Sequence, residues 1–146
     1  MCAYAKYRNA ALQSTQHLYF RSALFPVEDG EDAETSPEIY GKALATWLAL
    51  RLTAAGHTIH GCLAEDFGRL VHVSHPRLRL CAACANGYDS ADQWQVFAFA
   101  ESVGLSSLFA AHEKQDAADS LMREIESILR AEPGIRDLRD ESADEV

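Results

Sequence analysis

The sequence predicts an α+β fold in two layers, with an antiparallel sheet of about five strands and two main helices packed on one of its faces. Three observations carry that expectation. Strand-like runs follow one another across short breaks, which favours antiparallel pairing. Two stretches repeat apolar residues at three- and four-residue steps, the period of a helix that buries one side. Two such helices can cover one face of a sheet well, but not both.

Residues 1 to 16 are mixed and weakly patterned, so they are expected to form a mobile or loosely docked segment. The first strand is expected over HLYFRSALF, residues 17 to 25, where Leu18, Phe20, Ser22 and Leu24 alternate with His17, Tyr19, Arg21, Ala23 and Phe25. Pro26 and Gly30 then bracket the exit into an acidic loop. A helix start follows, by either of two devices. Ser36 caps with Pro37 in the first helical position, or Thr35 caps and Glu38 reaches back to complete a capping box. Tyr40, Ala43, Leu44, Trp47, Leu48, Leu52 and Ala55 form the apolar stripe, and Gly56 is the natural stop.

Four strands are expected next, over residues 57–64, 69–75, 77–84 and 93–100, separated by Gly68, Pro76 and the segment from Asn86 to Asp92. In the third of these, Leu78, Leu80, Ala82 and Cys84 share one face while Arg77, Arg79, Cys81 and Ala83 share the other. That pattern predicts a sheet with one wet face. A short helix or turn near residues 105 to 112 leads to a final helix from Ala117 to Ala131, striped by Leu121, Ile125, Ile128 and Leu129. Pro133 and Gly134 end it. Residues 17 to 135 thus make the α+β domain, and 136 to 146 read as an acidic disordered tail.

With 146 residues, 48% of them hydrophobic, the chain is long enough to bury a substantial core. Its 22 Asp and Glu against 13 Lys and Arg give a net charge of -9, which argues against direct nucleic-acid binding. No apolar run is long enough to span a membrane, and the start MCAYAKYRNAALQSTQ lacks the apolar stretch of a signal peptide, so a cytoplasmic location is expected. The acidity is local. Residues 28 to 34, EDGEDAE, carry Glu28, Asp29, Glu31, Asp32 and Glu34 and contribute -5; the tail contributes -3 and all the rest only -1. Solvated, self-repelling segments are the plain explanation for both runs, and acids placed before a helix also favour the positive end of its dipole.

The motifs for chemistry are sparse. Cys81 and Cys84 in CAAC have the spacing of a zinc or redox pair. There is no second CxxC, however, and only Cys62 with His57, His60, His72 or His75 is left to complete a site. On a regular strand the two cysteines also point to opposite faces, so small buried thiols are the simpler reading. A nucleophile at Cys62 or Cys84 with a histidine base has no local signature to support it. Glu65 and Asp66 in AEDFG are expected on a turn at the sheet edge, without calcium-loop spacing. No glycine-rich phosphate cradle occurs, and no cofactor is implied. Arg69, Arg77 and Arg79 are expected to form a small basic strip on a solvated sheet face.

The stretches FRSALF (20 to 25), ETSPEIYGKALATWL (34 to 48), AEDFG (64 to 68) and WQVF (94 to 97) together resemble a family of small, uncharacterised bacterial proteins. That family carries an FRS-x-LF strand, a YGKALA-x-WL helix and an acidic ED-x-G turn in this order. The similarity covers most of residues 18 to 135. It implies a bacterial or mobile-element origin and one compact domain, and it brings no catalytic residue or ligand.

Together these features predict a non-enzymatic acidic inhibitor of the immunity-protein or anti-CRISPR type. Glu28, Asp29, Glu31, Asp32 and Glu34 would meet a basic surface on a toxin, nuclease or nucleic-acid-guided complex, with Glu65 and Asp66 as a second patch. The alternatives are a metal-binding protein or hydrolase using Cys62, Cys81 and Cys84, and a homodimeric interaction module built on a sheet edge.

Overall fold

The computed structural model describes residues 12–87, 91–103 and 111–141. The expectations for residues 1–11, for a short helix over 105–110 and for the last five residues lie outside them. Among the described residues there are six strands: β1 (Leu12–Arg21), β2 (Ile59–Glu65), β3 (Gly68–Val73), β4 (Leu78–Asn86), β5 (Gln93–Ser102) and β6 (Arg136–Asp140). Two helices, α1 (Lys42–Ala54) and α2 (Ala111–Ala131), accompany them. The strands form one antiparallel sheet in the order β2-β3-β4-β5-β1-β6. The predicted α+β class holds, with six strands where about five were expected. Neither helix is long and apolar enough to cross a membrane.

Register explains the layers. Val71 lies opposite Ala82 and Ala82 opposite Ala98, while Val73 faces Leu80 and Leu80 faces Ala100, so one face carries continuous apolar rows across β3, β4 and β5. Both helices pack there. From α1 come Leu44, Ala45, Leu48 and Leu52, and from α2 Ala118, Leu121, Met122, Ile125 and Leu129, all buried. Each large apolar side chain so buried contributes about 1.5–3 kcal/mol. Phe25, just beyond β1, joins the helix to the sheet with its ring 5.5 Å from Trp47 and 5.8 Å from Trp94. The indole N–H of Trp94 donates to the Ser22 carbonyl at 3.1 Å, so the largest core side chain leaves no polar atom unpaired.

The opposite face is not the wet one that alternation predicts. Leu70, Cys81, Ala83, Phe97 and Phe99 form a second buried apolar cluster there, with Phe67 packed against it. The expected basic strip also dissolves. Arg69 lies buried on the helix side, opposite Cys84. Arg79 pairs with Glu101 and Arg77 with Glu113 on α2.

Several boundaries move for identifiable reasons. β1 begins at Leu12 because its polar first residues pair with the far end of β5. Asp119 of α2 then accepts from the Ser14 hydroxyl at 2.7 Å and the Thr15 N–H at 2.8 Å. It ends at Arg21 because Ser22 turns the chain, its N–H donating to the Asp92 carbonyl. α2 starts six residues earlier than the apolar stripe suggested. Residues 136–140, expected as the start of a disordered tail, form the edge strand β6. Leu138 packs against the core, and the Glu141 N–H donates to His17. α1 begins at Lys42 rather than near Ser36. Glu38 sits at φ 66, incompatible with a helical turn, and the Thr35 hydroxyl donates to the Ile39 carbonyl instead of capping.

Candidate functional site

The acidic loop is folded inward around one of its own carboxylates. Residues 31–33 make a single 3-10 turn entered through Gly30 at φ 82, a left-handed conformation that glycine adopts without strain. That turn aims Glu31 into the protein, where it is only 4% exposed. One carboxylate oxygen, Oε1, accepts from the Glu28 N–H at 2.9 Å. The other accepts from the N–H groups of Gly41 and Lys42, each at 3.2 Å. These last two are at the start of α1, where helical N–H groups lack partners and the dipole favours negative charge. Glu31 is therefore the cap of α1, supplied from eleven residues upstream of Lys42.

A second anchor comes from the sheet. Buried Arg69 donates to the Glu31 carbonyl at 3.2 Å and to Glu34 Oε2 at 3.3 Å, tying both ends of the 3-10 turn to β3. Its Nε has no hydrogen-bond partner among the described residues. Lys42 reaches back to Glu28 at 3.0 Å, which raises its own pKa, and Asp32 accepts from the Glu38 N–H at 2.9 Å. Gly41 completes the clasp. A Cβ there would stand 2.4 Å from the Cys84 carbonyl oxygen, so the loop lies directly on the β4 backbone.

Arg69 and Lys42 thus pair with two of the five loop carboxylates, Glu34 and Glu28. Glu28, Asp29 and Glu34 remain exposed, Asp32 is partly covered and Glu31 is enclosed. Asp66 sits where the sequence placed it, in the turn between β2 and β3, while Glu65 is the last residue of β2 beside that turn. Asp66 is exposed and Glu65 half-buried. That hairpin also carries Arg69, so the structure brings loop and hairpin acids to one corner of the sheet. Gly41, Lys42 and Arg69 were not singled out from sequence as parts of this corner. The one signal that could have found Arg69 is an arginine in a strand whose other odd positions, Val71 and Val73, are core.

The cysteines do not converge. Cys84 belongs to the helix-side core and Cys81 to the cluster on the opposite face, as their spacing on a strand predicts. Burial pushes the Cys81 thiol up to about 11 and that of Cys84 higher still, so both are inert at neutral pH. Cys62 is exposed on β2. Among the described residues no three His, Cys, Asp or Glu side chains are grouped to hold a metal ion.

Three of the histidines, His17, His57 and His75, have structural partners. His57 meets Glu124 at 2.5 Å, and the His75 ring nitrogen accepts from the Arg77 and Leu78 N–H groups. His17 stacks on Tyr19, with centroids 4.8 Å apart, and bonds Gln95 at 2.8 Å; burial lowers its pKa. The hydrogen bonds of these three rings go to Gln95, Glu124 and backbone N–H groups, not to a thiol or hydroxyl. Comparison with protein-family models, curated proteins and solved structures gives no match for this chain.

Proposed function

We propose that this chain is a non-enzymatic acidic binding protein, an inhibitor of the immunity-protein or anti-CRISPR type, whose acidic corner engages a basic surface of a partner protein. The observation that supports this reading is the fixed geometry of the loop. Five like charges in seven residues would ordinarily stay solvated and mobile, and a partner would then have to order them at an entropic cost. Here Glu31 and Arg69 have already met that cost within the fold. The carboxylates of Glu28, Asp29, Glu34 and Asp66 are left facing solvent around a rigid frame.

Such an array suits the basic face of a nuclease, toxin or nucleic-acid-guided complex, a surface built to receive evenly spaced phosphates. Fixed carboxylates compete for the same lysines and arginines, and they raise the encounter rate with a cationic partner while repelling nucleic acid itself.

Asp29 and Asp66 offer a clean test because neither side chain makes a hydrogen bond or ion pair among the described residues. The double variant Asp29→Lys/Asp66→Lys should fold like the parent and bind a partner captured by the parent chain with Kd raised on the order of tenfold or more. The parent complex should weaken steeply as salt shortens the screening length below ~10 Å, and the variant complex should weaken less steeply. Equal affinity and equal salt dependence for the two chains would remove the acidic corner from the interface.

A further inference from the structure

We infer that the chain self-associates through the edge of β2 that has no strand partner among the described residues, with Leu63 of one copy lying against Leu63 of the other in an antiparallel strand pair. The two outer strands of the sheet are treated very differently. β6 reads RDLRD, with Arg136, Asp137, Arg139 and Asp140 exposed and Asp137 at φ 55. Charges and a locally distorted backbone are how edge strands resist pairing with another chain. β2 has no such guard over most of its length. All of it but the terminal Glu65 lies in the run from Leu52 to Ala64, thirteen consecutive residues without Asp, Glu, Lys or Arg in a chain of net charge -9. Leu63, 43% exposed, is the one strongly exposed large apolar residue on an edge strand among the described residues.

The hairpin fixes which backbone groups face outward. Glu65 and Gly68 close the two-residue turn, so they form a hydrogen-bonded pair, and such pairs alternate along the ladder. Leu63 therefore bonds inward to Leu70, while the N–H and C=O groups of Cys62 and Ala64 point away from β3. The irregularity between Ile59 and Gly61 ends the regular edge on the other side.

One register satisfies all four outward groups with the same four on a second copy: Cys62 opposite the partner's Ala64, and Ala64 opposite the partner's Cys62. The two-fold axis then passes through Leu63, whose two copies become a non-hydrogen-bonded pair with Cα atoms about 4.5 Å apart, the closest approach in a sheet. The second copy is favoured over a foreign strand because this register is self-complementary in both hydrogen bonds and apolar contact. One short strand pair buries less than the ~1,200 Å² of a stable interface, so the association is concentration-dependent.

Sedimentation equilibrium tests the inference. The mass should rise from 16.1 kDa toward twice that value as concentration is raised, and the Leu63→Lys chain should stay monomeric throughout. Oxidation of Leu63→Cys in a Cys2→Ser/Cys62→Ser background should trap a covalent dimer, because the paired Cα atoms fall within the disulfide range of about 4.4–6.8 Å. The native Cys62 pair lies about 7–8 Å apart on the diagonal and should not cross-link. A parent chain that remains monomeric at every concentration overturns the inference. So does a dimer that persists in Leu63→Lys or leaves Leu63→Cys unlinked.

Discussion

Replacing Gly41 by alanine should destabilise the protein by on the order of 3 kcal/mol or more, a large share of the total for a domain of this size. The added Cβ would lie 2.4 Å from the Cys84 oxygen, 3.0 Å from the Cys84 carbonyl carbon and 3.3 Å from the Ala85 Cα. All three are backbone atoms of β4, a strand paired on both sides by β3 and β5. No side chain can swing away, so either the sheet bends or residue 41 retreats. Retreat pulls its N–H off Glu31 and uncaps α1. Urea unfolding should show the midpoint falling with the m-value unchanged. A loss under about 1 kcal/mol would mean that the loop is not pressed against β4.

Truncating Glu31 to alanine should cost about 2–3 kcal/mol, more than loss of an ordinary surface cap. Its carboxylate accepts three backbone N–H groups, one of them on buried Gly41, and those donors would be left with no partner from the loop. Glu31→Gln keeps one acceptor oxygen and the shape but loses the charge at the helix N-terminus, so it should fall between the parent and Glu31→Ala. Asp29→Ala, two residues away, should change stability by less than about 0.5 kcal/mol. Thermal or urea denaturation of the three variants gives the ranking. Equal values for Glu31→Ala and Asp29→Ala would reduce Glu31 to one more solvated acid.

The meander from β2 to β5 was legible because its strands are short runs rich in apolar residues and each break carries a glycine, a proline or the Asn86–Asp92 segment, with strict alternation in β4 alone. The ends of the sheet were not. β6 is four-fifths charged and the start of β1 is polar, so neither shows the apolar period that marks a strand. Their pairing is decided by what lies beside them, His17 and Tyr19 for β6 and the far end of β5 for β1. The wet face failed for a related reason. Cys81 and Ala83 are neutral small residues that alternation alone assigns to neither environment, and the deciding neighbours, Phe97 and Phe99, are on another strand.

The acidic loop was legible as charge but not as structure. Thr35, Ser36, Pro37 and Glu38 satisfy local rules for a helix start, yet a carboxylate from outside that window wins because it bonds two helix-start N–H groups at once and is neighboured by Arg69. Arg69 is 38 residues from Glu31 in sequence, a separation at which no spacing rule operates. What charge counting could find was the place where acids collect. Which acid turns inward and which face solvent required the fold.

Amide hydrogen exchange at Gly41 and Lys42 tests most directly whether the acidic loop is a fixed part of the molecule. The N–H groups at the first positions of a helix normally exchange quickly because nothing within the helix accepts them. With Glu31 bonded to both, they should be protected to a degree approaching that of Ala45 and Leu48 inside α1, and Glu31→Ala should abolish that protection while leaving the α2 amides slow. Exchange of Gly41 and Lys42 in the parent chain at the rate of an open loop would contradict the account, since the exposed acids would then have no rigid frame to present them.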